Sequence, residues 1–261
     1  MEIIDFHTHI YPDHIAEKAT RATCKFYGLD TALVGSLDRL TAEGAAAGIS
    51  RYVVHPVATH PTGVRHINEY TAATVASHAE LEGFGTVHPD MQDALAELDF
   101  IRASGLKGLK LHPDIQGCQS DDERLFPIYE RLCELELPLL IHCGDRTHDY
   151  SHPRHLRRAL DRFPELTVIA AHLGGWSHWD EAFEYLGPTN CYLDTSSSTM
   201  FMPAEQVVTY IRAFGTHRVL FGTDFPMWEP ATEVQTFLSL PLTEEEKQMI
   251  ASGNARKLLK I

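Results

Sequence analysis

The stretch Ile3-Ile4-Asp5-Phe6-His7-Thr8-His9-Ile10-Tyr11-Pro12 begins as a short apolar run and ends on polar residues, with no glycine anywhere in it. Similar runs, of strand length and closed by polar or turn residues, recur at 52–57, 83–87, 108–112, 139–143, 167–172, 191–195 and 219–223. A continuous apolar run of this length is what a strand buried on both faces looks like. Between the runs lie stretches with apolar residues at helical spacing, for example 94–103, 125–135 and 207–214. Gly105 and Gly215 fall where such helices should stop, and Pro127 and Pro203 near where they should start. Alternation of this kind builds right-handed βαβ units and a parallel sheet. A doubly wound open sheet would place a glycine-rich phosphate turn after its first strand, and the opening stretch has none. The expectation is therefore an α/β fold, a single-domain (β/α)₈ TIM barrel over residues 1–261.

Composition narrows the function classes. The 261 residues carry Lys+Arg 22 against Asp+Glu 36, a formal net charge of -14, which argues against a nucleic-acid or membrane-surface partner. No apolar run approaches the roughly 18 residues of a membrane span, and the start lacks the basic and then apolar regions of a signal peptide. Cys24, Cys118, Cys133, Cys143 and Cys191 are dispersed and odd in number, as expected for reduced thiols in a cytoplasmic protein. The outlying figure is His 16, so the chemistry is sought among the histidines.

In a barrel the active site lies at the carboxyl ends of the strands. The first run ends in His7-Thr8-His9, whose two imidazoles project the same way because strand side chains alternate. The fifth run ends in His142-Cys143-Gly144, the sixth in His172-Leu173-Gly174-Gly175 and the eighth in Gly222-Thr223-Asp224-Phe225-Pro226. Four imidazoles and a carboxylate thus converge on one cavity, a donor set suited to zinc and also to iron, nickel or manganese. Any one of these histidines alone would read as a hydrogen-bonded strand end; the set is what points to a metal.

His7-Thr8-His9, the single histidines after the fifth and sixth runs and Gly222-Thr223-Asp224-Phe225-Pro226 resemble the amidohydrolase superfamily. More narrowly, the chain is similar to the branch named for aminocarboxymuconate-semialdehyde decarboxylase. The tail Gly253-Asn254-Ala255-Arg256-Lys257-Leu258-Leu259 is similar to that branch's usual ending. The resemblance implies that His7, His9, His142 and Asp224 ligate one divalent metal, with zinc the first choice and manganese, iron or nickel also suited. It implies that Asp224 and His172 are the catalytic acid/base groups, although in binuclear relatives the histidine at the position of His172 is itself a ligand. Those relatives bridge two metals with a carboxylated lysine or a glutamate at the fourth strand. Lys110 stands there and could be that bridge, but a lysine pairing with a nearby carboxylate or with substrate is the preferred reading, which makes a second metal the less favoured variant. Relatives commonly form dimers, so the resemblance allows a homodimer, while the sequence leaves the oligomeric state open.

A cation with an open position supplies hydroxide at neutral pH. The first expectation is accordingly hydrolysis of an amide, lactone or similar bond of a small metabolite. The alternative is non-oxidative decarboxylation of a small aromatic or unsaturated acid at the same site, as the decarboxylase relatives carry out; the ligands alone do not separate the two. A non-catalytic metabolite-binding barrel is the reading from another class. Around the mouth, Lys110, His112, Arg146 and Trp176 are expected to bind the substrate, Arg146 because guanidinium reads carboxylates in bidentate fashion. Trp228 could add a wall, and the segment 10–35, with Tyr11, Phe26 and Tyr27, a lid. His55 and His88 are as readily turn caps as cavity residues. Ser196-Ser197-Ser198 lacks the glycines of a serine-hydrolase elbow, and Asp194 beside it either orients a ligand or ties a loop.

Overall fold

The computed structural model describes residues 1–261. Its strands are β1 (Ile4–Thr8), β2 (Arg51–Val54), β3 (Leu81–Gly83), β4 (Gly85–Thr86), β5 (Leu109–Leu111), β6 (Leu139–Ile141), β7 (Val168–Ala170), β8 (Tyr192–Asp194) and β9 (Val219–Leu220). They form two parallel sheets, β1-β2-β3 and β4 through β9 in chain order. Nine segments fill eight barrel positions because the strand expected at 83–87 is interrupted at Phe84. The ladder nevertheless runs through the break: Phe84 N donates to Val54 O at 3.0 Å and Gly85 N to Gly108 O at 2.9 Å. The seam closes where Phe6 N donates to Phe221 O, Asp224 N to His7 O and His9 N to Phe225 O, each at 2.8 Å. The result is the closed (β/α)₈ barrel expected from the alternation.

Helices occupy the expected places. The pattern at 94–103 is helix Ala94–Ala103, that at 125–135 is Phe126–Leu135 behind a 3₁₀ turn, and that at 207–214 lies within Ala204–Phe214. Most strands stop short of the expected boundary, since their last residues leave the ladder to build the mouth. Cys143 O, for example, accepts from Trp176 N at 2.8 Å rather than from a neighbouring strand.

Inside the barrel Ile4, Phe6, Val53, Phe84, Leu140, Ile169, Ala171 and Leu220 pack together, and Ala255 and Leu259 of the last helix, Asn254–Leu259, join them. Full burial of one such large side chain contributes about 1.5–3 kcal/mol. Asn254 fastens this tail by donating its side-chain amide to Thr216 O at 2.8 Å and Val219 O at 2.7 Å. A larger cluster, including Leu109, Leu111, Leu193 and Cys143, fills the layer between strands and helices. No helix is long and apolar enough to cross a membrane.

Candidate active site at the carboxyl ends of the strands

Strict alternation along β1 would send Phe6 inward and His7 outward, yet both His7 and His9 line the cavity. The pairing of β1 with β2 changes register between Asp5 and Thr8, and a bulge of this kind re-aims a side chain next to an active site. Gly222 makes room on the other side of the seam, since a Cβ there would lie 2.8 Å from His7 Cβ. His172 and Asp224 reach the cavity from left-handed backbone, both with φ 62°. Non-glycine residues hold such angles only when the surroundings impose them, as functional sites do.

The two β1 imidazoles are held in one tautomer by partners that can only accept. His7 Nδ1 lies 2.9 Å from Asp194 Oδ2 and His9 Nδ1 lies 2.6 Å from the carbonyl of His55. Both rings therefore present an unprotonated Nε2, and these face the same carboxylate oxygen, Asp224 Oδ1, at 3.6 Å and 3.4 Å. Two lone pairs and an anion converge with no proton between them. That donor set fits a divalent cation, and a carboxylate fixing the far nitrogen of a ligating histidine is the usual supporting contact. Asp194, fully buried, also accepts from His172 N and Ser196 N at 3.1 Å each.

His142 and His172 stand beside this triad. His142 Nε2 donates to Gly144 O at 2.9 Å, and its Nδ1 lies 3.0 Å from His172 Nε2. As oriented, His142 presents no free lone pair to the triad, so the structure brings together three of the four expected ligands. Its ring stacks on His112 with centroids 4.0 Å apart. His112 Nε2 meets Tyr27 Oη at 2.5 Å. Tyr27 ends α1 (Asp13–Tyr27), the helix of the expected lid, which also gives Ala19, Ala22 and Thr23 to the cavity wall.

The Lys110 side chain is buried, with its Nζ 3.2 Å from His7 Nε2. Burial lowers its ammonium to about 8, against the opposing pull of Asp194 and Asp224. Burial also lowers the His172 imidazole, which Asp224 and Asp194 partly offset.

The cavity measures about 250 Å³. Its floor is His7, His9, Lys110, His172 and Asp224; Tyr11, Tyr27, Trp176, Met227 and Trp228 wall it. Trp176 Nε1 is buried and has no hydrogen-bond partner within the chain. Arg146 departs from expectation. It is exposed and is not among the residues lining the cavity, its guanidinium 4.7 Å from the Trp176 ring. His55 and His88 are likewise outside the lining: His55 Nε2 bonds to Phe6 O at 2.6 Å, and His88 Nδ1 accepts from Asp90 N at 3.2 Å.

The sequence profile described as Amidohydrolase matches residues 4–261. Among curated proteins, a decarboxylase (orsB) of Emericella nidulans is 26% identical over 124 residues, 39% of this chain and 37% of that protein. A dihydroorotase of Shewanella sediminis is 28% identical over 157 residues, 53% of this chain and 45% of that protein. The matches thus span less than half the length of these two relatives. Among solved structures, a dihydroxybenzoic acid decarboxylase from Polaromonas sp. JS666, with bound manganese and the inhibitor 2-nitroresorcinol, superposes with a TM-score of 0.76. It is 18% identical, with 99% of this chain and 97% of that one covered, a likeness that speaks for the fold.

Proposed function

The chain belongs to the amidohydrolase family, and from that premise we propose that it is a metal-dependent carboxy-lyase acting on a small aromatic or unsaturated carboxylic acid. The observation that carries the proposal is Lys110, an ammonium buried beside a cation-binding triad at the foot of an apolar, aromatic-walled cavity. A buried ammonium suits a substrate that carries a carboxylate on an apolar frame. The likeness to a decarboxylase supports the same reading.

In this account His7, His9 and Asp224 hold the divalent metal, with His142 the fourth ligand implied by the resemblance. Zinc, manganese, iron and nickel all suit such donors. When bound, the metal offsets the negative charge that the substrate brings into a low-dielectric site. Lys110 binds the carboxylate, and Trp176 and Trp228 hold the apolar frame flat and keep water out. A proton passes from the His172 imidazolium, a form that the nearby Asp224 carboxylate favours, to the carbon bearing the carboxylate. The carbon–carbon bond then breaks, its electron pair stays with the frame, and carbon dioxide leaves. Burial makes the His172 imidazolium the readier proton donor, and Asp224 and Asp194 oppose the shift by favouring the charged form.

Lys110→Met should raise KM about 10–100-fold, the scale of a lost charge-assisted hydrogen bond, with a smaller change in kcat. The pH profile carries a second signature. With its ammonium lowered to about 8, Lys110 is charged below that pH and neutral above it. The kcat/KM of the wild type should therefore fall as pH rises past about 8, and Lys110→Met should lose that limb. An unchanged alkaline limb in the variant would remove Lys110 from carboxylate binding.

Hydrolysis of a cyclic amide is the second reading, favoured by the likeness to a dihydroorotase. Incubating manganese-loaded protein with hydroxybenzoates, and separately with dihydroorotate, discriminates between them. Carbon dioxide release from the first set supports the carboxy-lyase; ring opening of the second without carbon dioxide overturns it.

A further inference from the structure

The sequence offers Ser196-Ser197-Ser198 no role, yet two of these serines sit behind the proposed ligands. Ser196 Oγ lies 3.0 Å from His7 Nδ1 and 2.9 Å from His172 Nδ1. Ser197 Oγ lies 2.5 Å from Asp224 Oδ2, and Trp228 Nε1 lies 2.7 Å from Ser197 Oγ. The direction of this second chain is fixed by chemistry. An indole N–H has no lone pair and can only donate. Ser197 Oγ therefore accepts from Trp228, and its own proton goes to the carboxylate.

We infer that Ser197 is a positioning residue that, with its hydroxyl aimed by Trp228, locks the Asp224 carboxylate so that one oxygen is held and the other faces the metal site. Oδ2 is tied by the donated O–H, and Oδ1 is left opposite the Nε2 atoms of His7 and His9 at 3.6 Å and 3.4 Å. Without the serine proton the two oxygens become equivalent, and the carboxylate is free to rotate out of register with the imidazoles. Ser197 itself has φ 49°, in the left-handed region, as Asp224 does at 62°. The loop after β8 thus holds a strained non-glycine residue at the one place from which a hydroxyl reaches Oδ2.

The inference rests on the metal-binding part of the proposed function, and its test needs no substrate. Mn²⁺ is titrated into metal-free wild type, Ser197→Ala, Ser197→Gly, Trp228→Phe and the Ser197→Ala/Trp228→Phe double variant. Ser197→Ala should weaken Mn²⁺ binding about 10-fold or more, the usual effect of losing a contact behind a ligand. Ser197→Gly should weaken it equally, although glycine relieves the backbone strain, which separates the hydroxyl from the φ angle. Trp228→Phe should have the smaller effect, and the double variant should be no weaker than Ser197→Ala, since Trp228 acts through Ser197. In metal-free protein the Trp228 indole N–H resonance, identified by its loss in Trp228→Phe, should move in Ser197→Ala. Mn²⁺ binding in Ser197→Ala at wild-type strength would overturn the inference, as would fully multiplicative effects in the double variant or an unmoved indole resonance. Failure to release carbon dioxide from any acid bears on the carboxy-lyase reading alone.

Discussion

Asp224→Asn is expected to lower turnover by at least 10²-fold while leaving the fold intact, the scale of losing an acid/base group. The carboxylate lies with Oδ1 opposite the lone pairs of His7 and His9 and Oδ2 beneath the Ser197 hydroxyl. An asparagine fills the same volume, and its carbonyl can still accept from Ser197. Its amide nitrogen then faces the two imidazoles and donates to them, which satisfies the site without a cation. The variant should therefore melt no lower than the wild type, bind Mn²⁺ more weakly, and turn over at 1% of the rate or less. Steady-state turnover with thermal melting checks this. Wild-type turnover in Asp224→Asn would remove the residue from both its proposed roles.

A comparable loss, about 10²-fold in kcat, is expected for His172→Asn, with the opposite signature in metal content. His172 lies 3.0 Å from His142 Nδ1 and 3.1 Å from Ser196 O, and its ring stacks on His7 with centroids 5.1 Å apart. It touches the proposed metal ligands without joining the close triad of His7, His9 and Asp224, so its removal should spare the ion. Metal retained at the wild-type ratio with turnover lost would mark a proton-transfer role. Metal lost as fully as in a His7 variant would instead make His172 a ligand, as in the binuclear relatives.

The barrel was legible because its signals are local. Buried parallel strands read as apolar runs and helices as periodic ones, and the missing glycine between His7 and Pro12 disposes of the open-sheet rival. The strand-end histidines and Asp224 were legible for the same reason, since barrel geometry fixes which end of each run meets the cavity. What escaped depends on backbone detail and on contacts between distant segments. The interruption at Phe84 and the register change between Asp5 and Thr8 arise from pairing across strands, and no residue pattern marks either. Tyr27 meets His112 across 85 residues of chain, and Ser197 meets Asp224 across 27. Neither distance has a period to announce it. Arg146 was a fair candidate for carboxylate binding by residue type, but its guanidinium lies over the Trp176 ring and it does not line the cavity. Lys110 was flagged at its strand end for two roles, bridging two metals or binding substrate. Its place beside His7, with the ammonium lowered to about 8, is what favours the substrate role.

The central claim is a divalent metal held by His7, His9 and Asp224 and required for catalysis. Elemental analysis of protein purified without added metal, and again after manganese reconstitution, tests it most directly when run beside His7→Ala. The account predicts about one metal per chain in the wild type, little in the variant, and carbon–carbon cleavage that follows the metal content. No metal after reconstitution, or an equal load in His7→Ala, would contradict it.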